Sequence, residues 1–129
     1  KKRENYPKIL LKKIYYLSTC DTCKRIISEL ELKQKDFQFQ DIKTEKITES
    51  QLTELKELAG SYESLFSKIA RKYKELGLST KTLSEVDFKN YILEDYTFLK
   101  RPVLVINGKI FIGNSKQNIE NIKNEINSK

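Results

Sequence analysis

Lys13-Ile14-Tyr15-Tyr16-Leu17 is a short β-prone run that stops at Ser18-Thr19. A helical pattern, with Ile26, Ile27 and Leu30 on one face, begins almost at once. Only Cys20-Asp21-Thr22-Cys23 lies between them, so two cysteines occupy a strand-to-helix junction. Phe37-Gln38-Phe39-Gln40 then alternates with period two and runs on to Ile42, a second strand with one polar face.

Helical spacing follows. Thr48-Glu49-Ser50-Gln51 matches a capping box, and Leu52, Leu55 and Leu58 continue a helix that stops near Gly60. A second helix is expected to carry Leu65, Phe66, Ile69, Tyr73 and Leu76, with Gly77 as its C-terminal cap. Ser84 opens a third, expected to carry Phe88, Tyr91, Ile92 and Leu99. Pro102-Val103-Leu104-Val105-Ile106 is an apolar strand, and Asn107-Gly108 is a strong hairpin turn signal before Lys109–Ile112. Ser115 can cap a last helix bearing Ile119, Ile122 and Ile126. The order is β-α-β-α-α-α-β-β-α, an α/β chain with three helices inserted between strands.

The 129 residues suit one domain. No stretch approaches the roughly 20 apolar residues of a membrane span. The N-terminal stretch is too basic and too poor in apolar residues for a secretory signal, and a cytoplasmic location is the expectation. Net charge is +7, but its placement matters more than its size. The first 13 residues hold six of the 25 Lys and Arg residues and one of the 18 acids. The rest is nearly balanced, so residues 1–11 read as a basic lead-in ahead of one domain over 12–129. That distribution argues against a nucleic-acid-binding face. There is no His. Ser-His-Asp and Cys-His mechanisms are thereby excluded, along with the usual zinc sites.

Cys20 and Cys23 are the sharpest chemical signal. A Cys-x-x-Cys pair serves zinc, a structural disulfide or buried inert thiols, or redox exchange. Zinc would need two carboxylates or a second chain here, because the chain has only two cysteines. A disulfide over so short a loop constrains little of the unfolded chain. Position favours redox chemistry. Cys20 falls at or just before a first helical turn, where unpaired N–H groups and the helix dipole favour a thiolate. Lys24 and Arg25 add positive charge and Asp21 opposes it. Cys23 lies one turn on and can reach back, so Cys20 is the expected nucleophile and Cys23 the resolving thiol. Arg101-Pro102 is the second signal. Arg101 is one of only four arginines, and an oxyanion site built on bidentate clamps has few to draw on.

These features together resemble the arsenate reductase (ArsC) family, which includes the Spx-type regulators. The likeness is carried by Cys20-Asp21-Thr22-Cys23, by Leu65 to Leu78 in the insert, and by Arg101-Pro102-Val103-Leu104-Val105-Ile106-Asn107-Gly108-Lys109 with Ile112-Gly113. It implies a thioredoxin-like fold: a mixed four-stranded sheet with a three-helix insertion at about 46–99. Lys13–Leu17 should be central, parallel to Phe37–Ile42, and the Arg101–Pro102 bond cis and facing the redox cysteine.

The resemblance also implies chemistry. In the family's arsenate reductases one cysteine attacks arsenate, and glutathione with glutaredoxin completes the reduction; Cys20 matches that cysteine. Three arginines hold the oxyanion there. Arg101 matches one, whereas Ser67, beside Lys68, and Asn114 stand where the others fall. Two charge-assisted contacts of about 1.5–3 kcal/mol each are therefore missing, and efficient arsenate reduction is not expected. The expected site comprises Cys20, Cys23 and Arg101, with Arg101, Pro102 and Lys68 toward substrate and no metal. The leading expectation is a thiol-disulfide oxidoreductase with no resident cofactor, reduced by glutathione or by a thioredoxin or glutaredoxin. The alternatives are a Spx-type switch binding RNA polymerase and a true arsenate reductase. A monomer, without nucleic-acid or membrane partners, completes the reading.

Overall fold

A computed structural model describes residues 12–127. The basic lead-in over 1–11 lies outside the described residues. The chain divides into two compact units, one formed up to Glu45 and from Arg101 onward, the other by Lys46–Lys100.

The first unit is built on a mixed four-stranded sheet. Its strands are β1 (Lys12–Tyr16), β2 (Gln38–Asp41), β3 (Val103–Ile106) and β4 (Lys109–Ile112), in the order β2-β1-β3-β4. β1 is central: it runs parallel to β2, with Tyr16 beside Asp41, and antiparallel to β3, with Ile14 beside Leu104. The β3–β4 hairpin turns on Asn107 (φ 54°) and Gly108 (φ 81°). Two successive left-handed residues give the turn whose twist matches the flanking strands, and the Asn-Gly pair tolerates that backbone.

The helices of this unit are α1 (Asp21–Glu29) and, at the C-terminal end, α5 (Lys116–Asn127). α5 opens at Ser115, whose Oγ accepts the Asn118 N–H at 3.1 Å. One aliphatic core joins the sheet to both helices. Ile14, Leu104 and Ile106 pack with Ile26, Ile27 and Leu30 of α1 and its C-cap, and with Ile122 of α5. Each such buried side chain contributes about 1.5–3 kcal/mol before the chain entropy is counted.

The second unit holds α2 (Glu49–Ala59), α3 (Arg71–Glu75) and α4 (Glu85–Glu94). Both long helices start with reciprocal capping boxes. Thr48 and Gln51 exchange two bonds of 3.0 Å, and Ser84 and Asp87 exchange bonds of 2.9 and 3.2 Å.

The middle of this unit departs from the helical spacing. Residues 65–76 do not form one helix. Glu63–Leu65 is a single 3-10 turn, Phe66 is extended, and α3 begins only at Arg71. Nor does α4 reach Leu99: it ends at Glu94, and a 3-10 turn over Tyr96–Phe98 follows. The cause is non-local pairing. Phe66 bridges Leu99 antiparallel, with Ser67 N–H donating to the Phe98 carbonyl at 2.7 Å and Lys100 N–H to the Leu65 carbonyl at 2.9 Å. Phe66 is thereby set against Phe98, stacked at 5.1 Å between centroids, and against Phe88 at 4.9 Å. Ile69, expected on a buried helical face, is instead 95% exposed.

Candidate functional site

The turn Leu17-Ser18-Thr19-Cys20 carries the chain from β1 into α1, closed by the Cys20 N–H on the Leu17 carbonyl at 3.0 Å. Cys20 is the N-cap of α1, extended at φ −95° and ψ 113°. Its carbonyl accepts the Lys24 N–H at 3.1 Å, the first bond of the helix. The sulfur of an N-cap residue sits near the unpaired N–H groups of the first turn, where negative charge is favoured. Cys20 is half-buried and Cys23 fully buried, and both are free thiols.

Their environments push them apart. Burial alone would raise the Cys20 pKa. The Cys23 backbone N–H, the Cys23 side chain, the Arg101 guanidinium and the Thr22 backbone N–H outweigh it, and the net direction is downward. For Cys23 burial dominates. A backbone hydrogen bond from Leu17 and the Arg101 charge only partly offset it, negative charge on Cys20 adds to it, and the thiol is pushed up to about 12. One thiol is therefore prepared to ionise and its neighbour to stay protonated.

The Arg101 guanidinium is a cation that lowers Cys20. Lys24 reaches Asp21 at 4.0 Å and Arg25 pairs with Glu29 at 3.1 Å, so both are engaged along the helix surface. Arg101 enters from the segment before β3. The Arg101–Pro102 bond is cis, Pro102 is buried, and its carbonyl accepts the Gly113 N–H at 2.8 Å. The structure thus brings Cys20, Cys23 and Arg101 into one electrostatic neighbourhood.

Lys68 belongs to the second unit, where its ammonium pairs with Glu63 at 2.9 Å. Serving an oxyanion would mean giving up that carboxylate. Ser67 is buried with its N–H committed to Phe98, and Asn114 is exposed. Among the described residues, no group of three or more His, Cys, Asp or Glu side chains is placed to hold a metal ion.

Two residues near the thiols were not singled out by sequence reasoning. Burial, then Asp41, then Cys23 raise the Tyr16 hydroxyl pKa, which keeps that hydroxyl neutral. The Asp41 carboxyl, despite some desolvation, is lowered by hydrogen bonds from Ser18 and Lys43 and by the Lys43 charge. Both residues lie in runs that read simply as strand. The one available signal was an acid at the end of an otherwise uncharged β run. A groove of about 540 Å³ opens beside Tyr16, lined also by Ser18, Lys24 and Phe39 among others.

Comparison with known proteins bears on the fold and the family. The model of the ArsC family matches residues 15–122. An arsenate reductase from Vibrio cholerae superposes with a TM-score of 0.73 at 19% identity, over 90% of this chain and 98% of that one. A possible arsenate reductase from Streptococcus mutans UA159 gives a TM-score of 0.70 at 28% identity, over 88% and 98%. An arsenate reductase related protein from Brucella melitensis gives 0.66 at 23%, over 87% and 93%. No curated protein matches.

Proposed function

The chain belongs to the ArsC family, and we propose that it is a thiol-disulfide oxidoreductase with Cys20 as nucleophile and Cys23 as resolving thiol. The observation that carries this reading is the opposed environment of two neighbouring thiols. Cys20 is lowered at a helix N-cap, and Cys23 is buried and raised to about 12.

The Cys20 thiolate attacks one sulfur of a partner disulfide. A new S–S bond forms, the partner's S–S bond breaks, and the partner's other sulfur leaves as a thiolate. The charge on Cys20 has then gone, and with it one of the effects that raised Cys23. Cys23 loses its proton and attacks the Cys20 sulfur, the mixed disulfide breaks, and the second partner thiol leaves. Two electrons pass to the partner and a Cys20–Cys23 disulfide remains. A low-molecular-weight thiol such as glutathione, or a dithiol protein of the thioredoxin or glutaredoxin type, restores the reduced pair. Arg101 supports the attacking thiolate electrostatically. The groove beside Ser18 offers room for the flank of a disulfide substrate.

Arsenate is a poorer fit. A dianion approached by a thiolate needs several fixed cations, and Arg101 is the guanidinium whose charge is seen to bear on Cys20 among the described residues. Wild-type arsenate turnover with glutathione and glutaredoxin should be weak, with disulfide exchange retained.

The deciding experiment follows reduction of a glutathionylated peptide by the reduced protein. Cys20→Ser should fall to background. Cys23→Ser should stop at a mixed disulfide, seen as an added mass on the Cys20 peptide. Exchange by Cys20→Ser at the wild-type rate, or a Cys20–Cys23 disulfide that forms without turnover, sinks the proposal.

A further inference from the structure

One carboxylate holds the turn that delivers Cys20 to its helix. Asp41 ends β2, and its Oδ1 accepts the Ser18 N–H at 3.2 Å and the Lys43 N–H at 3.1 Å. Ser18 is the second residue of the Leu17–Cys20 turn. Asp41 is also anchored through its own backbone, whose carbonyl accepts the Thr44 N–H at 3.1 Å and the Glu45 N–H at 2.7 Å. The Ser18 hydroxyl, the Lys43 ammonium and the Tyr16 hydroxyl are the other polar groups that face it. A single side chain therefore ties the loop before Cys20 to the loop after β2. Charge-assisted bonds of this kind are roughly twice as strong as neutral ones.

A thiolate at an N-cap is stabilised only while its sulfur stays close to the N–H groups of the first turn, because that field falls off within one turn. A drifting turn would forfeit the advantage. We propose that Asp41 is a positioning residue for Cys20: by accepting the Ser18 N–H it fixes the Leu17–Cys20 turn and holds the sulfur at the start of α1. This rests on the thiol-exchange reading. It acts through Ser18, without contact with the reacting sulfur.

Positioning and simple charge predict opposite signs. Were Asp41 only a nearby negative charge, its removal would favour the Cys20 thiolate and speed its reactions at neutral pH. A positioning role means that removal slows them.

The test is the pH profile of Cys20 alkylation by iodoacetamide on the reduced full chain, read on the Cys20 peptide by mass spectrometry. Asp41→Ala should react about two- to fivefold more slowly than wild type at pH 7, with its profile displaced upward. Asp41→Asn keeps an oxygen acceptor for the Ser18 N–H and should stay close to wild type. An unchanged or faster Asp41→Ala, in a protein with native circular dichroism, overturns the proposal. Should Asp41→Ala not fold, Asp41→Glu is read in the same way. It keeps the charge but displaces the acceptor by one methylene, so a slower reaction supports positioning and an unchanged profile overturns it. Failure of the thiol-exchange reading looks different: wild-type Cys20 would then titrate as an ordinary thiol and leave disulfides untouched.

Discussion

The sheet unit and the helical unit are held together by different means. Around the sheet the core is largely aliphatic, with Ile14, Ile26, Leu104 and Ile122 filling the space between strands and helices. The helical unit is organised on an aromatic centre, where Phe66 touches Phe88, Phe98, Tyr73 and Tyr91. The polar groups differ as well. In the sheet unit some cap the last helix or pair on the surface, while others gather at one strand-to-helix junction and shift the titration of two sulfurs. In the helical unit they cap helices and pair on the surface, as Glu85 does in accepting the Tyr62 and Glu63 N–H groups at 2.7 and 3.1 Å. The two shifted thiols sit where a helix start has no side-chain cap, whereas the two long helices of the helical unit both start capped.

The largest effect is expected at Phe66. Phe66→Ala empties the centre of the aromatic cluster and should cost about 3–5 kcal/mol, measured by urea unfolding. A loss below about 1 kcal/mol would mean that the cluster is not what organises this unit.

Next comes the charge at the junction. Cys20 is lowered, so its alkylation rate should climb with pH earlier than the roughly 8.5 of an ordinary thiol, then level off. Arg101→Gln removes a cation that favours the thiolate. The rise should move to higher pH, with about two- to fivefold less reactivity at neutral pH for a partly solvated charge. A profile that stays in place would leave the helix start and the Cys23 contacts as the whole cause.

The smallest effect sharpens the account of the helical unit. Thr48→Ala and Ser84→Ala each remove one half of a capping box, and each should lower stability by about 1 kcal/mol in thermal or urea unfolding. Their sum in the double variant tests whether the two helix starts are independent.

Much of this was legible in the residues because local rules agreed with one another. Alternation in Phe37–Ile42, the boxes at Thr48 and Ser84 and the Asn107-Gly108 turn are each decided by a few neighbouring side chains. The junction that makes Cys20 an N-cap is equally local, so the spacing of the two cysteines was enough to place both at a strand-to-helix turn. Ile69 and Leu99 misled because their spacing suits a helix, while the backbone just before Ile69, at Phe66 and Ser67, pairs with the backbone around Leu99. Lys24 and Arg25, close to Cys20 in sequence, each lie within ion-pair distance of a carboxylate on their own helix.

By itself, then, the sequence determined the order of elements, the hairpin, the caps and the junction that holds both cysteines, all set by interactions within a turn or two of chain. The tertiary structure alone decided that Phe66 would be extended against Leu99, and it brought beside Cys20 an Arg101 that only the family resemblance had placed there. It alone decided that Asp41 would reach back to Ser18. Each depends on strands and loops distant in sequence being brought side by side, and a local pattern carries no record of which distant partner will arrive.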